Sequence, residues 1–341
     1  MSAATHSPVS PPADVFRRVG PQMEALDRFV RAQVADFEPE IREMAAHFLD
    51  SAGKRLRPAL VFVAGWRGDG VVPDPLVRAA GVVEMVHLAT LVHDDIMDGA
   101  ALRRNRPTAA HRYGPDAAVL LGDALFAQAL HIASQFPTTE VCLLVSASTR
   151  RVCSGEIMQT LHRRDLAVSR ADYDRVIDLK TAELFRVSCE LGARLAGYAP
   201  DFAAAAAAFG RHLGIAYQMY DDLVDFLGDE RSIGKTLGTD LASGKLTLPL
   251  MLLLERLSAA ERAELVAALQ GGRPLPLAAS VERMRALGIG DGVAAEVRAE
   301  IARARAALAP FRSLEPVALM EQLTEVLNSQ LAALYSPSAK P

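Results

Sequence analysis

Two short acidic runs carry the first chemical signal in the sequence. The stretch "HDDIMDGAALRRNRPT" places Asp94, Asp95 and Asp98 after an apolar run, and "YDDLVD" repeats the pattern at Asp221, Asp222 and Asp225. Residues three and four apart share a helical face, so the spacing predicts that each triplet points nearly one way. Like charges that close repel by about 4 kcal/mol per pair at an effective dielectric near 20. One such run reads as a solvated helix end. Two copies, each after an apolar helix, read as facing carboxylates that persist only with cations between them. All-oxygen ligands suit hard ions, and Mg²⁺ completes its shell with water and substrate phosphate.

Basic residues accompany the acids. "GKRLRP" supplies Lys54, Arg55 and Arg57, and "LRRNRPT" supplies Arg103, Arg104 and Arg106. "LKTAELF" carries Lys180 and Thr181, and "GKTLGTDLASGKLTLP" carries Lys235 and Lys245. Arg55, Arg106 and Arg231 read as surface charges. The remainder exceed what one phosphate group needs and match two diphosphates, one bridged through Mg²⁺ and one held directly by Lys and Arg. His87 lies seven residues before Asp94, about two helical turns, and reads as a phosphate donor. The glycines at 228, 234, 238 and 244 suggest a loop that closes over the site.

The elements that must position these groups are helices. Met23, Leu26, Phe29, Val30, Val34 and Phe37 follow helical spacing. Residues 76–97 are apolar nearly all round, which predicts a central buried helix. Residues 115–134, 138–161 and 171–198 read as further long helices, and the C-terminal third is amphipathic and helical. No convincing alternating strand is present. "GGRPLP" at 271–276 reads as a break between helices and not as a domain linker. The Pro-rich residues 1–13 read as a disordered tail, which leaves 14–341 as a single all-α domain.

Composition excludes other classes. A net charge of -4 in 341 residues gives no footprint for nucleic acid or an acidic membrane surface. No signal peptide and no uncharged apolar span stand out, which predicts a cytoplasmic protein without a transmembrane segment. Cys142, Cys153 and Cys189 lack metal-type spacing and read as buried apolar groups in a reducing compartment.

The set of motifs resembles the trans-isoprenyl diphosphate synthases, or polyprenyl synthetases. "GKRLRP", "HDDIMDGAALRRNRPT", "GDALFAQA", "GEIMQT", "KTAELF", "YQMYDDLVDFLGDE" and "GKTLGTDLASGKLTLP" run in the family's order across residues 53–249. Departures are small: Ala52 and Asn105 stand where glycine is usual, and Gly99 where an acidic residue is common. The resemblance implies long antiparallel helices around a deep apolar cavity, usually in a homodimer, and about three Mg²⁺ ions per site. It assigns isopentenyl diphosphate to Lys54, Arg57, His87 and Arg104. It assigns Asp94, Asp98 and Asp221 as chief metal ligands, supported by Asp95, Asp222 and Asp225. Arg103, Lys180, Thr181, Gln218, Lys235 and Lys245 would surround the allylic diphosphate.

The implied reaction is a Mg²⁺-dependent head-to-tail condensation of an allylic diphosphate with isopentenyl diphosphate. Charge growing on the leaving group would be stabilised by the cations together with Lys180, Lys235 and Lys245. The residues just before Asp94 would meet the growing tail. Ala89 and Thr90 are small and Val86 does not block the way, which predicts a product longer than geranylgeranyl, with Phe126 as a candidate floor. The alternatives are a geranylgeranyl or farnesyl diphosphate synthase, a class I terpene cyclase, and the catalytic subunit of a heteromeric synthase. A cyclase usually lacks both the second aspartate run and "GKRLRP"; both are present.

Overall fold

The computed structural model of the chain describes residues 11–50, 53, 55–228, 238, 240, 243–271 and 277–335. The first half consists of α1 (Pro11–Arg18), α2 (Gly20–Ala32), α3 (Arg42–Leu49), α4 (Leu56–Ala64), α5 (Asp74–Met97), α6 (Ala109–Tyr113), α7 (Pro115–Ser134) and α8 (Glu140–Leu161). There follow α9 (Arg170–Ile177), α10 (Glu183–Leu195), α11 (Pro200–Leu227), α12 (Leu248–Arg256) and α13 (Ala259–Leu269). The chain closes with α14 (Leu277–Ala286), α15 (Ile289–Leu308) and α16 (Glu315–Ala333). The all-α expectation holds. The one addition is a hairpin of two-residue strands, Leu102–Arg103 against Arg106–Pro107.

Proline sets the start of several long helices. Pro115 and Pro200 occupy the first turns of α7 and α11, where a missing N–H costs nothing. Apolar periodicity then decides which helix is central. In α5, Leu76, Val77, Val82, Val83, Met85, Val86, Leu88, Ala89 and Val92 are all buried, around nearly the whole circumference. It packs on α2, α4, α7 and α10, while α11 lies between α10 and α15. Trp66, Phe62, Phe185, Phe202 and Phe209 are the largest fully buried side chains of the shared core.

By length and composition α5 and α7 are each apolar enough to cross a membrane, which the sequence reading did not anticipate. For α5 the burial within the bundle accounts for that composition. On α7, Val119, Leu120 and Leu130 stay exposed, as do Leu143, Ile157 and Leu161 on α8.

The helix predicted over 171–198 is interrupted. Between α9 and α10, residues 178–182 widen into a π-helical turn, Asp178–Ala182. Such one-residue expansions of a helix are frequent at functional sites. Here the turn carries Lys180 and Thr181. Gly155 lets α8 approach it: a Cβ there would lie 2.7 Å from the Lys180 amide nitrogen. The first helix begins at Pro11, inside the stretch read as tail. The "GGRPLP" break lies mostly outside the described residues, as do Gly234 and Arg231.

Candidate active site

The C-terminal ends of α5 and α11 deliver the two acidic runs to one cavity of about 710 Å³. Asp94 and Asp98, a full turn apart, line one wall, and Asp221 and Asp222 line the other. Asp95 and Asp225 do not line it; both are only 1% exposed. Asp95 is about 100° round the helix from Asp94, so the shared face expected for all three aspartates holds for two. Its carboxylate accepts from Arg103 Nε at 2.8 Å. Asp225 accepts the Asp240 amide at 3.0 Å, which ties the end of α11 to the segment leading into α12.

Cationic side chains lie at each cavity-facing aspartate of α5. Lys180 Nζ lies 3.8 Å from Asp94 Oδ2, donates to Gln159 Oε1 at 2.9 Å and pairs closely with Glu156. Lys245 Nζ donates to Asp98 Oδ2 at 2.9 Å, and Arg163 reaches Asp98 Oδ1 at 2.6 Å. The electrostatics differ accordingly. Burial pushes the Asp94 carboxyl up to about 6; Lys180 opposes this, while Glu156 and Asp98 add to it. Burial would also raise Asp98, but Lys245 and Arg163 outweigh it and hold that carboxyl below its usual range.

Behind the second run is a hydrogen-bonded relay. Thr181 Oγ1 donates to Gln218 Oε1 at 2.6 Å, and Gln218 Nε2 donates to Asp222 Oδ1 at 2.7 Å. The buried Tyr173 hydroxyl donates to Asp222 Oδ2 at 2.7 Å. Burial and the nearby Asp240 raise the Asp222 carboxyl to about 8, against the pull of the Tyr173 and Gln218 bonds.

At the other end of the cavity Arg57 donates to His87 Nε2 at 3.1 Å and lies over the Phe185 ring, 5.0 Å from its centroid. Burial first, then Arg57, Arg104 and Arg103, hold the His87 imidazole well below its usual range. The ring is therefore held neutral, and Arg57 donating to Nε2 puts its proton on Nδ1. Arg104 reaches the same end because the hairpin turns on two left-handed residues, Arg104 and Asn105 (φ 51° and 59°). That is the geometry of a tight hairpin turn, and asparagine tolerates it nearly as well as glycine. Arg103, the last residue of its strand, turns to Asp95, while Arg104, in the turn, reaches toward Gly53.

Of the residues expected from sequence, the cavity brings together Arg57, His87, Thr90, Asp94, Asp98, Arg103, Arg104, Phe126, Lys180, Thr181, Gln218, Asp221, Asp222 and Lys245. Ala89 and Val86 are fully buried outside its lining. Lys54 and Lys235 lie outside the described residues. Arg55, expected at the surface, is a correction: its side chain is 11% exposed and pairs with Asp27 and Glu84. Arg106, also expected at the surface, is half-buried and donates to His47 Nδ1 at 2.9 Å, bracing the hairpin. Of the cysteines only Cys189 is fully buried; Cys153 is exposed. Arg163 and Tyr173 were missed, because nothing local to them signals the contact; Asp240 was passed over although it sits in the quoted "GKTLGTDLASGKLTLP". Glu156 and Gln159 sat in a quoted motif, and their i, i+3 spacing on a helix that meets Lys180 was the available clue.

Residues 38–281 match the polyprenyl synthetase family. The chain belongs to that family. It is 33% identical over 261 residues to the octaprenyl diphosphate synthase of Haemophilus influenzae, covering 76% of this chain and 79% of the relative. It is 31% identical over 274 residues to a short chain isoprenyl diphosphate synthase of Methanothermobacter thermautotrophicus, covering 79% and 83%. The crystal structure of a Caulobacter crescentus polyprenyl synthase complexed with calcium and isoprenyl diphosphate superposes with a TM-score of 0.87 at 31% identity, covering 95% and 99%. This polyprenyl synthetase is a prenyltransferase with the family's all-α fold.

In this synthetase Tyr173→Phe is expected to lower turnover about tenfold, since a buried carboxylate that loses a hydrogen bond costs about 1–3 kcal/mol. The divalent-cation concentration for half-maximal rate should rise in step. A cation titration of the variant checks both, and unchanged values would show that Asp222 does not depend on Tyr173.

Proposed function

We propose that the chain elongates an allylic diphosphate with isopentenyl diphosphate, head to tail and trans, to a polyprenyl diphosphate longer than geranylgeranyl. The observation that carries this reading is one cavity lined by aspartates from both α5 and α11 and by two sets of basic groups, Lys180 with Lys245 and Arg57 with Arg104. Among the described residues no three carboxylates or histidines converge tightly enough to hold a metal by themselves. The donor set is nevertheless hard and oxygen-only. Such a set suits Mg²⁺, which keeps water and phosphate oxygens in its shell. Asp94, Asp98, Asp221 and Asp222 would hold it, with Asp95 and Asp225 anchoring the helix ends. When bound, it supplies charge stabilisation for a departing diphosphate.

Arg103, Lys180, Thr181, Gln218 and Lys245, with Lys235, would hold the allylic diphosphate. Arg57, His87 and Arg104, with Lys54, would hold that of isopentenyl diphosphate. Lys180 and Lys245 already sit against Asp94 and Asp98, so they are aimed where a leaving diphosphate would arrive and need little reorganisation. The allylic C–O bond breaks with its electron pair going to the diphosphate. The isopentenyl double bond then attacks the cation, and the released diphosphate takes the proton.

The tail would pass from Asp94 along Thr90, Ile96, Val119 and Phe126, which line the cavity's apolar part. Thr90→Phe is expected to shorten the product by one or more isoprene units, and Phe126→Ala to lengthen it. Chromatography of dephosphorylated products reads both, and identical distributions in active variants would remove the tail from this wall. The exposed apolar residues of α7 and α8, among them Leu120 and Leu143, fit a second copy of the chain in a cytoplasmic homodimer. The deciding experiment incubates the purified chain with Mg²⁺, farnesyl diphosphate and labelled isopentenyl diphosphate, with light scattering on the same sample. Labelled products beyond geranylgeranyl, abolished by EDTA, are expected from a particle of two copies. Cyclised hydrocarbons, or no product without an added partner, would favour a cyclase or a heteromeric synthase.

A further inference from the structure

Glu84 lies on α5 one turn before His87, 3% exposed, behind the wall formed by Arg57 and Arg104. Its Oε1 is 3.9 Å from Arg55 Nε, and its Oε2 has no hydrogen-bond partner among the described residues. Arg55 is turned toward it by a left-handed backbone (φ 44°) at the start of α4, and Arg55 also pairs with Asp27. Burial raises the Glu84 carboxyl above its usual range, and the charges of Arg55, Arg57 and Arg104 around it pull it back toward the ionised form. A carboxylate kept only for packing would close its ion pair and satisfy both oxygens, because a loose, half-bonded buried acid is costly.

The chemistry of elongation offers a use for that charge. Each condensation joins isopentenyl C4 to the allylic C1, releases the allylic diphosphate with the bonding pair, and loses a C2 proton to it. The lengthened product therefore carries the diphosphate that came in with isopentenyl diphosphate. For the next addition that same group must occupy the other pocket. A pocket walled by Arg57 and Arg104 would hold it too well.

We infer that Glu84 is a counter-charge built in behind the isopentenyl diphosphate pocket, weakening its grip so that each product can move to the allylic side. This rests on the reading above and adds to it a determinant of successive addition. Glu84→Gln keeps shape and removes charge. The test titrates isopentenyl diphosphate with Mg²⁺ into the full chain by calorimetry, and follows product length over time with farnesyl diphosphate as primer.

Glu84→Gln is expected to bind isopentenyl diphosphate about tenfold more tightly, the equivalent of about 1.4 kcal/mol. Its products should pile up after one addition, with the ratio of later to first additions falling. A gain in affinity is a result that mere loss of packing does not produce. Arg55→Gln, outside the cavity lining, should act with the opposite sign and weaken binding. A folded Glu84→Gln chain with equal or weaker affinity, or with the wild-type product distribution, overturns the inference. If that variant does not fold, Arg55→Gln decides, and unchanged or tighter binding overturns it. Wild-type chain that binds isopentenyl diphosphate yet extends nothing defeats the functional reading instead, and the binding comparison still judges Glu84.

Discussion

Asp94→Asn is expected to lower turnover on the order of 10²–10³-fold, the range seen when one preorganised charge-stabilising group is removed. The fold should not suffer. Asp94 is buried beside Glu156 and Asp98, which repel it, and its nearest cation, Lys180, keeps Glu156 as a partner. The melting temperature in EDTA should therefore stay level or rise. Steady-state rates at saturating Mg²⁺ and a thermal scan without metal check the two halves. A variant with near-normal rate would remove Asp94 from the metal set. One with a lowered melting temperature would make the aspartate structural.

Arg57→Ala should act on one substrate. Arg57 is half-buried, bonded to His87 and stacked on Phe185, so it is held in place before any anion arrives. Removing a buried, hydrogen-bonded charge at a binding site costs about 2–5 kcal/mol, which corresponds to a rise in KM for isopentenyl diphosphate on the order of 10²-fold. The allylic KM should move less than about threefold, because Lys180 and Lys245 sit against Asp94 and Asp98 while Arg57 bonds His87. Varying each substrate separately decides. Equal effects on both constants would mean that the cavity is one pocket and not two.

Local signals made much of this legible. The limits of α5 and α7 could be read because apolar periodicity and Pro115 agree with the packing that results. The paired aspartate runs pointed to one site because an apolar helix ending in acids is costly unless something lies opposite. What could not be read depends on contacts far apart in sequence. Tyr173 bonds Asp222 and Arg163 bonds Asp98 only because helices cross there. Arg55 looked like a surface charge, since nothing near it in sequence reveals that Glu84 and Asp27 lie alongside. Asp95 and Asp225 share the spacing of their neighbours, yet one helical step or one loop contact turned each away from the cavity. The hairpin at 102–107 is too short for any alternating pattern, and two left-handed residues make it.

The wide turn at Asp178–Ala182 also constrains how this sequence can change over evolutionary time. A π turn is an α-helix with one residue added. Removing any residue from 178–182 would let the helix run straight through, with good local geometry and full hydrogen bonding. The α-helices on either side would keep their places, because the wide turn alone absorbs the extra residue, so the change would fall on the turn itself. Lys180 and Thr181 could no longer both face the cavity. Single-residue deletions, tolerated in many surface loops, should thus be purged from this stretch even where they would make a more regular helix. Alignments of functional relatives should run through it without gaps, and attempts to stabilise the chain by idealising this helix should cost it its reaction.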